Sequence, residues 1–175
     1  MQDILIKAAR IRLVIFDVDG VLTDGSLYLG NNGEELKAFN IKDGLGMKML
    51  LNSGVEIGII TARSSALVSR RMESLGITHV YQGRQEKLPA YEELMQKLGL
   101  DDAQAAYVGD DLIDLPLMRR TGLAVAVGDA HALVRQHAHW QTPSPGGRGA
   151  AREVCELIMK AQGTLDKAFQ AYLVP

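Results

Sequence analysis

The sequence predicts an α/β domain whose mostly parallel sheet is doubly wound, with helices on both faces. Several short runs are almost continuously apolar. A strand with one exposed face would alternate apolar and polar residues, so these runs are typical of strands buried on both faces. Segments with helical spacing separate these runs, so strands and helices alternate along the chain. The length of 175 residues, with 47% hydrophobic and 23% charged residues, fits one globular domain.

The candidate strands end at polar residues or glycines. They are 13–16, followed by Asp17; 55–60, followed by Thr61; 105–108, followed by Gly109; 123–127, followed by Gly128; and the weaker 79–81. Helical patterns lie at 44–53, 64–75, 86–98, 112–121, 150–161 and 164–173. Residues 26–39 break the alternation, because a turn rich in Asn and Gly at 30–33 predicts a β-hairpin. The order of elements therefore indicates a Rossmann-like sheet with a hairpin insertion.

Charge and hydropathy exclude several classes of partner. The net charge is −2, so no general basic field attracts nucleic acid or an anionic membrane. Apolar runs stay well below the roughly 18 residues of a transmembrane helix, and the N-terminus lacks the pattern of a signal peptide. The single cysteine, Cys155, is expected to pack in the interior and fits a reducing compartment. We expect a cytoplasmic protein that binds neither nucleic acid nor membrane.

Acidic and hydroxyl side chains stand where the buried runs stop. They are Asp17, Asp19, Thr61, Asp110, Asp111 and Asp114. In open α/β sheets ligands bind at the carboxyl ends of the strands, so these residues should share one edge. Each Asp alone could merely cap the helix that follows it. Together, however, they would repel one another without a cation, and their oxygens suit Mg²⁺.

The stretch Asp17-Val18-Asp19-Gly20-Val21-Leu22-Thr23-Asp24 after the first strand resembles the signature of the haloacid dehalogenase superfamily. The resemblance implies that Asp17 attacks phosphorus as the nucleophile. Asp19 would then protonate the leaving oxygen and afterwards activate water. A carboxylate beside a metal is a competent covalent catalyst, and a neighbouring carboxylate can act as acid and base. Gly20 leaves room for a tight turn beside the phosphoryl group.

The same resemblance implies roles for the remaining polar residues. Thr61 matches the hydroxyl that hydrogen-bonds the phosphoryl group, and Lys87 matches the lysine that neutralises the phosphate and the nucleophile. Lys87 taken alone would be an ordinary lysine at the start of a surface helix. The implied metal ligands are Asp17, the backbone carbonyl of Asp19, and Asp110, with Asp111 and Asp114 in supporting positions.

Larger members of the superfamily insert a cap domain between the first two motifs. Here mainly the hairpin and one helix separate Asp17 from Thr61, which is too little for a folded cap. We therefore expect a single capless phosphatase domain over 1–175, shielded by a neighbouring subunit. The apolar hairpin 26–39 and the tail 143–175 are expected in oligomer contacts.

Over nearly its whole length the chain resembles one family of capless phosphatases, which act on the sugar phosphate 3-deoxy-D-manno-octulosonate 8-phosphate. The stretches that carry this resemblance are 30–40, 42–44, 81–83, 107–114 and 146–150. The family implies a cytoplasmic, Mg²⁺-dependent homotetramer in which hairpins form a barrel and the glycine-rich tail reaches a neighbour's active site. It also implies a role in making Gram-negative lipopolysaccharide.

A substrate that carries both a phosphate and a carboxylate needs cations beyond Lys87. Arg63, close behind Thr61, could bind a carboxylate with two hydrogen bonds. Arg148 lies between glycines, where it could close over a partner's substrate or lie in solvent. Lys42 is a further candidate for substrate binding.

Alternative functions remain open at this point. The same chemistry could act on a nonulosonate 9-phosphate or on many sugar phosphates. Signalling domains that receive phosphate also place Asp, Thr and Lys on a doubly wound sheet, but an Asp two residues after the nucleophile argues against that class. An inactive scaffold is disfavoured because every expected catalytic position is occupied.

Overall fold

The computed structural model describes residues 1–173, and its centre is a six-stranded sheet. The sheet is built from β1 (Leu13–Phe16), β4 (Glu56–Ile60), β5 (His79–Tyr81), β6 (Ala105–Gly109), β7 (Leu123–Ala126) and β8 (Trp140–Gln141). These strands lie in the order β5-β4-β1-β6-β7-β8, and every pairing between them is parallel. The chain therefore runs outward from β1 first to one side and then to the other, which confirms the doubly wound fold.

Helices cover both faces of the sheet, and a separate hairpin stands apart from it. The helices are α1 (Gln2–Ala8), α2 (Ile41–Asn52), α3 (Ala66–Leu75), α4 (Leu88–Leu98), α5 (Leu115–Met118), α6 (Ala132–His137), α7 (Ala150–Ala161) and α8 (Leu165–Gln170). The hairpin pairs β2 (Tyr28–Leu29) with β3 (Glu35–Leu36) in antiparallel register. Between β1 and β4 the described chain holds only this hairpin and α2.

Burial explains the apolar runs. All four residues of β1 are buried, as are the four of β7, because helices pack on both faces. Helices α2 and α7 pack closely on one face, and a Cβ at Gly46 would lie 3.1 Å from the Cα of Arg152. Cys155 is fully buried in α7, as the sequence predicted.

Local capping sets the helix boundaries. Helix α2 begins three residues earlier than its pattern predicted, because the Asn40 side chain accepts a hydrogen bond from the amide of Lys42. Helices α3 and α4 end at Gly76 and Gly99, whose left-handed conformation suits glycine. Pro89 lies in the first turn of α4, where a missing amide hydrogen costs little.

Three parts of the sequence prediction were incomplete. The pattern at 112–121 forms a 3₁₀ turn over Leu112–Asp114 and then the short helix α5, because the Asp114 side chain binds backbone amides before it. The elements α1, α6 and β8 were not predicted; β8 is only two residues long. The pattern at 164–173 is helical only over Leu165–Gln170.

Within residues 1–173 no helix is long and apolar enough to cross a membrane.

Candidate active site

The predicted site residues converge at the carboxyl edge of the sheet. Asp17 follows the central strand β1, Thr61 follows β4, and Asp110 follows β6. Both β4 and β6 pair with β1, and Phe16 lies level with Ile59 on one side and Val108 on the other. The register therefore brings the three strand ends together, as the motif spacing predicted.

A buried lysine lies against the candidate nucleophile. Lys87 precedes α4, and its Nζ lies 2.9 Å from Oδ2 of Asp17 and 2.7 Å from Oδ1 of Asp114. The other Asp17 oxygen, Oδ1, accepts a hydrogen bond of 2.7 Å from the amide of Val18. A surface position for Lys87 is therefore ruled out, because its side chain is wholly buried between two carboxylates.

Tyr107 is a site residue that the sequence reasoning missed. Its hydroxyl accepts a hydrogen bond of 3.0 Å from Lys87 and donates one of 2.6 Å to Oδ1 of Asp114. It stands in the otherwise apolar strand β6 and is completely buried. A tyrosine inside such a run was the available signal, because a buried hydroxyl usually requires a partner.

Protein donors saturate the Asp114 carboxylate. Lys87 and Tyr107 bind its Oδ1, while its Oδ2 accepts hydrogen bonds from the amides of Asp110, at 2.9 Å, and Asp111, at 3.2 Å. Asp114 thus holds the loop after β6 in place. Asp111 is exposed, and its own side chain caps the 3₁₀ turn through the amide of Leu112, at 2.8 Å.

The acidic centre fits a divalent cation. Oxygens of Asp17, Asp110 and Asp114 lie within 4.8 Å of one another. Three carboxylates face a single lysine, and Oδ1 of Asp110 is buried with no hydrogen-bond partner among the described residues. Gly20 has φ +91°, and a Cβ there would overlap the Asp110 carboxylate. Carboxylate oxygens in this arrangement suit Mg²⁺.

Burial and mutual repulsion shift the ionisation of these groups. Burial, and then the charge of Asp114, raise the pKa of Asp17 to about 6 despite the nearby Lys87. Burial, together with the charges of Asp114 and Asp17, raises the pKa of Asp110 to about 8. Burial alone would lower the pKa of Lys87, but Asp114 and Asp17 outweigh it and raise that pKa. A cation at this centre must therefore displace a proton from Asp110 near neutral pH.

Asp19 faces the hairpin and is not among these three carboxylates. Its Oδ1 forms an ion pair with Lys37, another residue that the sequence reasoning missed. The Nε of Arg63 lies 3.8 Å from Oδ2 of Asp19. A guanidinium nitrogen of Arg63 also lies 3.4 Å from a Glu35 oxygen, so Arg63 is partly neutralised within the chain.

The other two cations predicted to bind substrate lie at the base of the hairpin. Arg148 and Lys42 line a cavity of about 410 Å³ together with Asp24, Tyr28, Ala38, Phe39, Asn40, Ile41 and Gly147. Arg148 is exposed, with its nearest nitrogen 3.5 Å from Oδ2 of Asp24 in the same chain.

The glycine-rich segment packs against the catalytic loop of its own chain. The amide of Gly147 donates a hydrogen bond of 2.9 Å to the carbonyl of Val21. A Cβ at Gly146 would overlap the carbonyl oxygen of Gly20, so this approach requires glycine. Contact between this segment and a neighbouring subunit stays a prediction.

Residues 76–154 match the family model described as haloacid dehalogenase-like hydrolase. The 3-deoxy-D-manno-octulosonate 8-phosphate phosphatase KdsC of Escherichia coli K12 is 55% identical over 95% of this chain and 88% of its own length.

Two solved structures are similar over almost the whole chain. The 3-deoxy-D-manno-octulosonate 8-phosphate phosphatase of Yersinia pestis has a TM-score of 0.93 and 54% identity, over 94% of this chain and 89% of that one. The enzyme of the same name from Moraxella catarrhalis, in complex with magnesium ion, phosphate ion and KDO, has a TM-score of 0.96 and 44% identity. That match covers 98% of this chain and 99% of the other.

Proposed function

We infer the function of this chain from its family, because it belongs to the haloacid dehalogenase-like hydrolases and, within them, to the 3-deoxy-D-manno-octulosonate 8-phosphate phosphatases. The chain hydrolyses 3-deoxy-D-manno-octulosonate 8-phosphate to the free sugar acid and inorganic phosphate. The observation that carries this conclusion is the buried centre of Asp17, Lys87 and Asp110 at the carboxyl edge of the sheet, in a chain so similar to these enzymes. We propose that the product enters lipopolysaccharide synthesis.

The first half of the proposed mechanism transfers the phosphoryl group to Asp17. A carboxylate oxygen of Asp17 forms a bond to phosphorus as the bond from phosphorus to the sugar oxygen breaks. The electron pair of that bond goes to the sugar oxygen, which takes a proton from Asp19. Lys87 neutralises charge on the nucleophile and the phosphoryl group, and its burial limits screening by water.

The second half releases phosphate. A water molecule gives a proton to Asp19 and attacks phosphorus, and the bond to Asp17 breaks with its electron pair returning to the carboxylate. Asp19 thus regains the proton that it lost. The hydroxyl of Thr61, buried at the end of β4, hydrogen-bonds the phosphoryl group in both steps.

The enzyme is Mg²⁺-dependent. We propose that Asp17, the backbone carbonyl of Asp19 and Asp110 hold the ion; the buried, unpartnered oxygen of Asp110 supports this assignment. Bound Mg²⁺ supplies positive charge that offsets the charge on phosphate and nucleophile. Asp114, saturated by protein donors, orients the loop that carries Asp110, with Asp111 capping the turn that follows.

Three cations are proposed to hold the sugar part of the substrate. Arg63 lies beside the proposed general acid, with its Nε 3.8 Å from Oδ2 of Asp19. Arg148 and Lys42 line the cavity at the base of the hairpin. Lys42 would bind the substrate of its own chain, whereas Arg148, which lies in the tail, would close over the substrate of a neighbouring subunit. Arg63 would exchange its contact with Glu35 for the substrate carboxylate.

We also propose that residues 1–175 form one capless domain that assembles as a cytoplasmic homotetramer. Hairpin 26–39 and tail 143–175 would form the contacts, and a neighbour's tail would help to close the site. Exposed apolar side chains on and beside the hairpin support this, among them Leu29 at 70% and Ile41 at 81% exposure.

The test measures phosphate release from 3-deoxy-D-manno-octulosonate 8-phosphate, with Mg²⁺ or a chelator, beside a nonulosonate 9-phosphate and common hexose phosphates. We expect fast, metal-dependent and selective release. Equal rates on all substrates would reject the assigned substrate and leave a general phosphatase. Asp17→Asn should abolish both turnover and the phosphoenzyme; a stable phosphoenzyme without turnover in the wild type would instead indicate a phosphate-receiving domain.

A further inference from the structure

The hairpin carries a buried lysine beside the proposed general acid. Lys37 directly follows β3, and its side chain is only 1% exposed although the hairpin lies at the surface. Its ammonium group contacts Oδ1 of Asp19, and an oxygen of Glu35 lies 3.4 Å away. Lysine is almost never fully buried unless it is paired, so the ion pair with Asp19 is what allows the Lys37 side chain to be buried.

Alternation along β3 gives the hairpin two different faces. Side chains at i and i+2 of a strand share a face, so Glu35 and Lys37 lie together while Leu36 points the other way. The charged pair faces Asp19 and Arg63. Leu36 is 66% exposed and lies opposite Tyr28, which is also exposed. The inner face of the hairpin is therefore part of the active site.

We propose that Lys37 is a positioning residue, which holds the Asp19 carboxylate so that Oδ2 delivers its proton to the departing sugar oxygen. Lys37 occupies Oδ1, whereas the Nε of Arg63 is 3.8 Å from Oδ2, too far for a hydrogen bond. Oδ2 is thus the oxygen that remains available for proton transfer. The proposal rests on the proposed function, in which Asp19 is the general acid.

The nature of the leaving group makes this role measurable. When Asp17 bonds to phosphorus, the electron pair of the breaking bond goes to the leaving oxygen. A sugar alkoxide is a strong base and requires the proton of Asp19 at that moment. p-Nitrophenolate delocalises its charge and leaves without a proton. Misplacing Asp19 should therefore slow phosphoryl transfer to Asp17 from the sugar phosphate, while transfer from p-nitrophenyl phosphate should keep its rate.

The experiment compares Lys37→Met, Lys37→Arg and the exposed control Lys97→Met, each with Mg²⁺. Both 3-deoxy-D-manno-octulosonate 8-phosphate and p-nitrophenyl phosphate are used as substrates. The measured quantity is kcat/KM, which covers the steps up to departure of the leaving group. Lys37→Met should lower kcat/KM for the sugar phosphate by about 10- to 100-fold and leave that for p-nitrophenyl phosphate within about twofold. Lys37→Arg should recover most of the loss, and Lys97→Met should change neither value.

Equal losses on both substrates would overturn the proposal, because Lys37 would then act on the phosphoryl group or on folding. Unchanged kinetics on both substrates would overturn it as well. Asp19→Asn, measured in parallel, separates this proposal from the proposed mechanism. If Asp19→Asn lowers kcat/KM much more for the sugar phosphate than for p-nitrophenyl phosphate, but Lys37→Met does not, only the role of Lys37 is wrong. If Asp19→Asn lowers kcat/KM equally for the two substrates, Asp19 is not the general acid, and both the proposed mechanism and the role of Lys37 are wrong.

Discussion

Binding of Mg²⁺ should release a proton from Asp110, so the affinity for the metal should rise steeply with pH. Burial and the charges of Asp114 and Asp17 raise the pKa of Asp110 to about 8. In the metal-free protein this carboxyl group therefore holds its proton below about pH 8 and has lost it above. Since only the ionised carboxylate ligates the metal, protons and Mg²⁺ compete for it.

The expected change in Mg²⁺ affinity with pH follows from the pKa of Asp110. With one competing proton at a pKa of about 8, the apparent affinity falls by about tenfold from pH 9 to pH 7. From pH 7 to pH 6 it falls by about another ninefold, and protonation of Asp17, whose pKa is about 6, adds roughly a factor of two. At pH 7 each Mg²⁺ that binds should release about 0.9 proton through Asp110.

Isothermal titration calorimetry at several pH values tests this reasoning. Titration at pH 7 in two buffers of different ionisation enthalpy gives the number of protons released. Asp110→Asn should abolish tight binding, while the exposed control Asp166→Asn should leave the pH dependence unchanged. An affinity that stays constant from pH 9 to pH 7, with no proton release, would refute the raised pKa of Asp110.

Three further predictions concern residues that position the site and the proposed assembly. Tyr107→Phe removes a hydrogen bond to a buried carboxylate, so it should lower the free energy of unfolding by about 1–3 kcal/mol and reduce kcat; urea unfolding that matches the wild type would contradict this. Asp43 is buried and accepts hydrogen bonds from the amides of Gly149 and Arg152 at the start of α7, so Asp43→Asn should destabilise the protein by about 1–2 kcal/mol. A chemical denaturation midpoint that does not shift would exclude this capping role. Leu36→Asp places a charge on the exposed face of the hairpin and should dissociate the proposed tetramer; an unchanged mass in light scattering would remove Leu36 from the interface.

Patterns local to the sequence were enough to predict five of the six strands of the sheet and the convergence of the candidate site. The runs at 13–16 and 79–81 form strands with the predicted bounds. Asp17, Thr61 and Asp110 were predicted to meet because the carboxyl ends of parallel strands lie on one edge of a sheet. That inference needs only the strand ends and their order, which apolar runs and motif spacing supply.

Contacts between side chains far apart in the chain could not be predicted in this way. Lys37 reaches Asp19 across 18 positions, and Asp43 caps α7 from 106 positions before Gly149. Both lysine and aspartate are common on surfaces, so their residue types carry no signal of burial. Their partners depend on how the hairpin folds back and how closely α2 approaches α7.

The sequence by itself determined the fold class, and it predicted the edge of the sheet where the candidate site lies and the residues that we propose carry the chemistry. Only the tertiary structure decided which carboxylate oxygens of the site already have hydrogen-bond or ion-pair partners. It showed that Asp114 is saturated by four donors, that Oδ1 of Asp110 has no partner among the described residues, and that Oδ1 of Asp19 is held by Lys37. The physical reason is that strand patterning depends on average burial, whereas hydrogen bonds depend on distances and angles that only the packed chain defines.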